Sequence, residues 1–284
     1  MVTPDSWIES LTVIDLGFVA VGASVGLLVG LTGVGGGSLM TPILTQGFGI
    51  TPAVAVGTDL AFAAVTKSAG AVVHGLQGSV RWNAVLFLLA GALPAAIFVL
   101  VCLEYSHGAL VSSNVSPYLA KTIKLAMGGC VLLTALSLMF RPQLLAWVRA
   151  SPSRSLSPKV RAWALGIAGG VIGGLVALTS IGAGAIGATV IALLHPEWDT
   201  AEVAGTDIAY AIPLTGVAAI GHAHFGTVDT TLLLGLLIGS VPAIALGSAL
   251  SKRLPERLTR YVLVMALCAA SASLFGILRF GASA

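Results

Sequence analysis

Apolar residues run along this chain in long blocks broken by short polar stretches, and the blocks fall into two sets of five. In the first set they span about 13–34, 37–48, 53–75, 82–104 and 118–140, and in the second about 162–180, 185–195, 201–222, 229–250 and 258–279. Most are close to the roughly 20 residues that a helix needs to cross a bilayer. The second block of each set is about a dozen residues long, too short to span about 30 Å at 1.5 Å per residue. Each is expected to be a half-helix, with the glycine-rich turn before it lying within the membrane. Irregular backbone is tolerated there only where protein or a wet cavity surrounds it.

The two sets are copies of one repeat. Leu31-Thr32-Gly33-Val34-Gly35-Gly36-Gly37 matches Leu178-Thr179-Ser180-Ile181-Gly182-Ala183-Gly184, 147 positions on. Gly57-Thr58-Asp59-Leu60-Ala61 matches Gly205-Thr206-Asp207-Ile208-Ala209 at 148 positions. His74 pairs with His222, Gly78-Ser79-Val80 with Gly226-Thr227-Val228, and Gly91-Ala92-Leu93-Pro94 with Gly239-Ser240-Val241-Pro242, all at 148. Four motifs kept in order at one offset are not a chance likeness between apolar helices. The chain therefore divides into a first transmembrane repeat, 1–140, a polar linker, 141–161, and a second repeat, 162–284.

Composition agrees with a membrane solvent. Of 284 residues 57% are hydrophobic and 9% charged, with a mean hydropathy of +1.00. A soluble domain carries about 25% charged residues. The net charge of +3 is small, and no basic run interleaved with aromatics supports nucleic-acid binding. Cys102, Cys130 and Cys268 are scattered in apolar blocks without metal-ligand spacing, and are expected to be small buried hydrophobes. Met1 to Ile14 lacks the basic start of a cleavable signal peptide, so the first apolar block is expected to be retained.

Charge placement predicts the topology. Lys and Arg favour the cytoplasmic side. Arg141, Arg149, Arg154, Lys159 and Arg161 lie in the linker, Lys252, Arg253, Arg257 and Arg260 after the ninth block, and Arg81 between the third and fourth. Placing them together puts the linker in the cytoplasm and both termini outside the inner (plasma) membrane. The two repeats then run in opposite directions. The expected fold is all-α and integral to the membrane, with two inverted repeats of about five helical segments each. That plan is common among secondary transporters, whose substrate sites lie near the midplane.

Four groups could serve such a site. Gly35, Gly36, Gly37 and Ser38, with Gly182, Ala183 and Gly184, can turn bare backbone N–H groups toward an anion, reinforced by the positive N-terminal end of the half-helix that follows. Small residues also serve helix packing in membranes. Thr58-Asp59 and Thr206-Asp207 lie about two turns into their helices, where Thr51-Pro52 and Asp199 or Thr200 are suitable starts. Their carboxylates could relay protons, bind a cation, orient the turns or cap free N–H groups. Lys67 is the one basic residue deep in an apolar block, and Thr215 aligns with it. It could hold an anionic substrate, pair with Asp59 or Asp207, or snorkel to a surface. Asp59, Lys67 and His74 fall within about 80° of one helix face. His74 and His222, at segment ends on opposite sides of the membrane, could shuttle protons or gate, or simply bond to a loop. No metal set, nucleophile triad or Walker motif is present, so no metal, cofactor or enzymatic activity is expected.

The paired glycine-rich turns, the repeated Gly-Thr-Asp and the His74-x-x-x-Gly78 stretch resemble the TauE/SafE sulfite exporter family over about 13–279. The resemblance implies an inverted-repeat transporter for sulfur oxyanions or organosulfonates such as sulfoacetate or a taurine-derived sulfonate, with export and ion or proton coupling. Ala183 stands where the first copy has Gly36. A sulfonate offers three acceptor oxygens and a negative charge, which suits backbone N–H groups, Ser38, Thr58, Thr206 and Lys67. The alternative is another small solute, such as a cation held by Asp59 and Asp207; an intramembrane enzyme has least support. The lipid bilayer and a small anion are the expected partners, and a homodimer is left open.

Overall fold

The computed structural model describes residues 16–32, 37–76, 79–105, 117–150, 157–251 and 255–277. Among these there are ten helices. They are α1 (Leu16–Thr32), α2 (Gly37–Gly47), α3 (Pro52–Leu76), α4 (Trp82–Tyr105), α5 (Pro117–Arg149), α6 (Pro158–Thr179), α7 (Ala185–Leu194), α8 (Thr200–His224), α9 (Thr230–Ser251) and α10 (Glu256–Leu274). No strand occurs among the described residues. The boundaries follow the punctuation in the sequence. Thr51 precedes α3, and its carbonyl accepts from Ala55 N at 3.0 Å. Asp199 starts α8 with a capping box: its side chain accepts from Glu202 N at 2.7 Å, and Glu202 accepts from Asp199 N at 3.1 Å.

α2 and α7 have 11 and 10 residues. At 1.5 Å per residue each is about 16 Å long, half a bilayer core. Among the described residues five helices are long and apolar enough to cross a membrane: α4, most of α5, α6, α8 and α9. One boundary differs from the hydropathy reading. α5 continues past residue 140, through Pro142, to Arg149. Its last turns mix Arg141, Gln143 and Arg149 with Leu144, Trp147 and Val148, the blend of basic and aromatic residues found where a helix leaves the bilayer core.

The bundle is apolar outside, and inside it a group of polar residues is set among apolar packing. Leu86, Phe98, Ile167, Val171, Ile220 and Met265 are all exposed, a face that needs lipid. Ser38, Thr41, Thr58, Asp59, Lys67, Thr206 and Asp207 are buried. Of the cysteines only Cys130 is buried, whereas Cys102 and Cys268 face outward. In a lipid solvent an exposed thiol costs little, so the rule for soluble cores does not transfer.

The most extensive helix contacts are α1 with α9 and α4 with α6, each joining the first helix of one copy to the fourth of the other. Both pairs run parallel. Gly22, Gly26 and Gly30 meet Leu236, Ser240 and Ile244 in turn, and Gly169 and Gly173 meet Leu88 and Ala92. A Cβ on any of these glycines would strike facing backbone, which is the close approach that small residues permit in membranes. Equivalent helices also pack together, α3 on α8 and α5 on α10. α3 and α8 run antiparallel: Gly57, near the start of α3, lies against Thr227, just beyond the end of α8. Gly205, near the start of α8, lies against Ser79, just beyond the end of α3.

Candidate functional site

The Gly-Thr-Asp motifs sit where α3 and α8 cross, and each residue has a separate task. The glycine admits the neighbouring chain. The threonine holds the residue that precedes the other copy's next helix: Thr58 Oγ1 accepts from Asp229 N, and Thr206 Oγ1 accepts from Arg81 N, each at 3.0 Å. Arg81 and Asp229 immediately precede α4 and α9 and are themselves equivalent positions in the repeat. Thr58 and Thr206, expected beside a substrate, thus spend their acceptor oxygens in a reciprocal interlock. The aspartate that follows turns into the centre.

Asp59 is fully buried, and its Oδ2 accepts from Thr41 Oγ1 on α2 at 2.6 Å. Its Oδ1 has no hydrogen-bond partner, and neither has Ser180 Oγ, although Ser180 lies near enough to influence the carboxylate. Lys67, two turns further along α3, is buried too. Its Nζ donates to Ala183 O in the second copy's glycine-rich turn at 2.6 Å. Its charge is felt by both Asp59 and Asp207. No carboxylate among the described residues lies within ion-pairing distance of it, so the ammonium is tied to backbone rather than to an acid.

That turn is built from unusual backbone. Ser180 ends α6 in the left-handed region at φ 59°, with its N–H donating to Val176 O at 2.8 Å. Gly182 and Gly184 have φ of 123° and 142°, which glycine tolerates without strain. Gly184 precedes α7 and supplies no side-chain cap, so the positive end of α7 is left to other partners. Asp207 and Tyr210 pack against Gly187 in α7's first turn, where any Cβ would collide with both. Asp207 Oδ1 and Tyr210 OH are buried without hydrogen-bond partners. A buried polar group left unpaired costs about 1–3 kcal/mol, and such groups are rare in folded proteins. Asp59 and Asp207 share the field of Lys67, Ser180 lies beside Asp59 and Tyr210 beside Asp207, so these atoms gather in one buried polar region.

Of the residues expected at the site, the structure brings together Asp59, Lys67, Ala183 and Asp207, with Gly182 and Gly184 shaping the turn. Ser38 is buried near the start of α2, which Gly37 opens. Gly35 and Gly36 lie outside the described residues, as does the side chain of His74. His222 is buried and bonds to neither aspartate nor Lys67. Its ring is held between Thr227 Oγ1 and Ala177 O, each at 3.0 Å, bonding it to the loop after its own helix. Ser180 opens the second glycine-rich turn, at the position that matches Gly33. Two members were missed. Tyr210 stands one helical turn from Asp207, and a phenol in mid-span is itself a signal, since its hydroxyl needs a partner. Thr41 carried only the weak signal of a hydroxyl near a glycine-rich turn. No group of three or more potential metal ligands occurs among the described residues.

Two cavities lie at the linker end. One, of about 670 Å³, opens between α4 and α6 and is lined by Arg81, Trp82, Arg161, His195 and Trp198 among others. Its arginines are matched, Arg81 to Glu202 and Arg161 to Glu197. His195 stacks on Trp198 at 3.9 Å between ring centres. The other, of about 340 Å³, lies between α5, the start of α8 and α10.

An all-helical bundle with a lipid-facing exterior, two half-helices and buried charges at its centre is the build of a membrane transporter. The family model described as sulfite exporter TauE/SafE matches residues 18–274, and the chain belongs to that family. It is 36% identical to the "Probable membrane transporter protein YjnA" of Bacillus subtilis, over 88% of this chain and 95% of the relative. It is 27% identical to YdhB of the same organism, covering 81% and 88%, and 25% identical to a "Probable membrane transporter protein" of Xylella fastidiosa, covering 82% and 83%. No solved structure gives a significant match.

Proposed function

We propose that the chain is a secondary transporter that exports a small sulfur-containing anion, sulfite or an organosulfonate such as sulfoacetate, across the cytoplasmic membrane. In this reading the linker is cytoplasmic, the termini are outside, and the two repeats are inverted about the midplane. The observation that carries it is the Lys67 ammonium, buried beside Asp59 and Asp207 and bonded to the turn that opens α7. An ammonium, two hydroxyls and a helix N-terminus are donors for an oxyanion with three acceptors. The family's description supplies the sulfur. With both aspartates ionised the centre carries one net negative charge, so anion binding calls for a proton bound alongside it, and Asp59 and Asp207 are the groups to hold one. The same pair favours the second reading, a cation site, because each leaves one carboxylate oxygen without a partner.

The test is a thermal-shift screen of the purified chain against sulfite, sulfate, thiosulfate, sulfoacetate and alkali cations. A ligand at 100 times its Kd adds about 2.7 kcal/mol to stability by mass action. Stabilisation by a sulfur oxyanion that Lys67→Met removes supports the proposal. Stabilisation by a cation, strengthened in Lys67→Met, replaces it with the second reading.

A further inference from the structure

The larger linker-end cavity is the mouth of the seam between α4 and α6. Further along, the two helices touch backbone to backbone, with Gly91 on Gly166 and Gly169 on Leu88. One turn nearer the linker they part, and Ala84, Phe87, Ala162 and Leu165 line the gap. Its outer wall belongs to the lipid-facing surface, because Trp82 and Phe87 line the cavity and are both exposed. Trp82 is the first residue of one span, and exposed Trp163 stands near the start of the other. Aromatic side chains at span ends sit at headgroup level. A crevice between helices at that level, open to the lipid face, is one that headgroups enter.

The charges around the cavity are of both signs. Arg81 is paired with Glu202 and Arg161 with Glu197, whose carboxylate also lies 3.2 Å from His195 Nδ1. Neither arginine is saturated by its acid. Arg161 Nε bonds to no other group of the protein, and the Arg81 side chain is 53% exposed. Glu197 is not saturated either: it stands beside two lining residues, Arg161 and His195, with its side chain 49% exposed. Trp198 is already covered, by His195 at 3.9 Å and Arg81 at 5.9 Å, whereas exposed Trp82 offers an aromatic face to a cation. Free donors beside a free acceptor, around about 670 Å³, suit a ligand that carries an anion and a cation together.

We propose that this cavity seats one phospholipid with a phosphoethanolamine headgroup. Its phosphate accepts from Arg161 and Arg81, its ammonium donates to Glu197, and its chains follow the exposed stripe Trp163, Ile167 and Val171 down α6. A headgroup with no cation would leave Glu197 facing its phosphate, and a quaternary ammonium has no N–H to give a carboxylate. The site does not depend on which solute the chain moves.

The test uses the full chain, purified in detergent and stripped of lipid. It is titrated with phosphatidylethanolamine, phosphatidylcholine and phosphatidylglycerol of identical acyl chains, and native mass spectrometry counts the lipid bound. Wild type should take one phosphatidylethanolamine about tenfold more tightly than phosphatidylcholine, the difference expected of one charge-assisted bond, and more tightly than phosphatidylglycerol. Glu197→Gln should abolish the preference over phosphatidylcholine and leave phosphatidylcholine binding within about twofold. Arg161→Gln should weaken both lipids about tenfold, and Arg81→Gln serves in its place if that variant does not fold. Equal binding of the three lipids, or a preference for phosphatidylglycerol, overturns the proposal. A preference for phosphatidylethanolamine that survives Glu197→Gln overturns it as well, since the lipid then lies elsewhere.

Discussion

Lys67 and Thr215 hold equivalent positions in the two copies and behave differently. Thr215 bonds to its own helix, donating to Ala211 O at 2.9 Å. Lys67 reaches out of α3 to the second copy's turn. The acids beside them differ likewise: Asp59 is anchored by Thr41, and Asp207 rests on Gly187 with one oxygen unpartnered. The scaffold around them keeps its symmetry, with matched parallel pairs, matched half-helices and the reciprocal Thr58 and Thr206 bonds. Duplication fixed the packing, and the chemistry then diverged within it. A site on the symmetry axis can take one substrate in one orientation only if its halves are unlike.

That contrast can be broken most severely at the charge. Lys67→Met should lower kcat/KM for the anion by about 100-fold or more, some 2.7 kcal/mol of lost charged contact. The double variant Lys67→Thr, Thr215→Lys moves the charge to the other copy and should not restore transport, because Asp59 keeps its bond to Thr41 and Asp207 its place on Gly187; flux near wild type would show that the copies are interchangeable. Next in size is the packing. Gly91 and Gly239 are equivalent, and a methyl on either would press into Gly166 O or Val19 O. Gly91→Ala and Gly239→Ala should each cost about 1–3 kcal/mol in detergent unfolding, and by similar amounts. A loss confined to one would mean that the symmetry of the contacts is not a symmetry of energy.

Thr58→Val and Thr206→Val should each cost about 1 kcal/mol by removing one buried hydrogen bond. The check is chemical denaturation of both variants in parallel, with transport measured beside it. The smallest effect belongs to Tyr210→Phe. Its hydroxyl bonds to no other group of the protein, so stability should change by less than about 0.5 kcal/mol while KM for the anion rises. An unchanged KM would remove Tyr210 from the donors.

Much of this was legible because a membrane simplifies the code. Pro52, Asp199, Pro158 and the glycine-rich breaks mark helix ends within a few residues, since a single solvent rewards long apolar runs. The repeat offset located the Gly-Thr-Asp pairs before any geometry. The partner of Lys67 could not be read in this way. It is a backbone carbonyl 116 positions distant, and a carbonyl has no sequence identity. The threonine bonds were hidden for the same reason, as Thr58 and Thr206 hold main-chain N–H groups of the opposite copy. The reach of α5 to Arg149 was hidden because hydropathy is silent once a helix leaves lipid.

The parallel seam between α1 and α9 has a consequence in time. α1 emerges early from the ribosome with Gly22, Gly26 and Gly30 forming an open groove, and the helix that fills it begins at Thr230. At about 5–20 residues per second, roughly 10–40 s of synthesis separate the two. During that interval the nascent chain carries an unfilled small-residue face in the bilayer, the kind of surface that draws helices together. A guardian in the membrane, or slow lateral release from the insertion machinery, would keep that groove vacant until its own partner arrives.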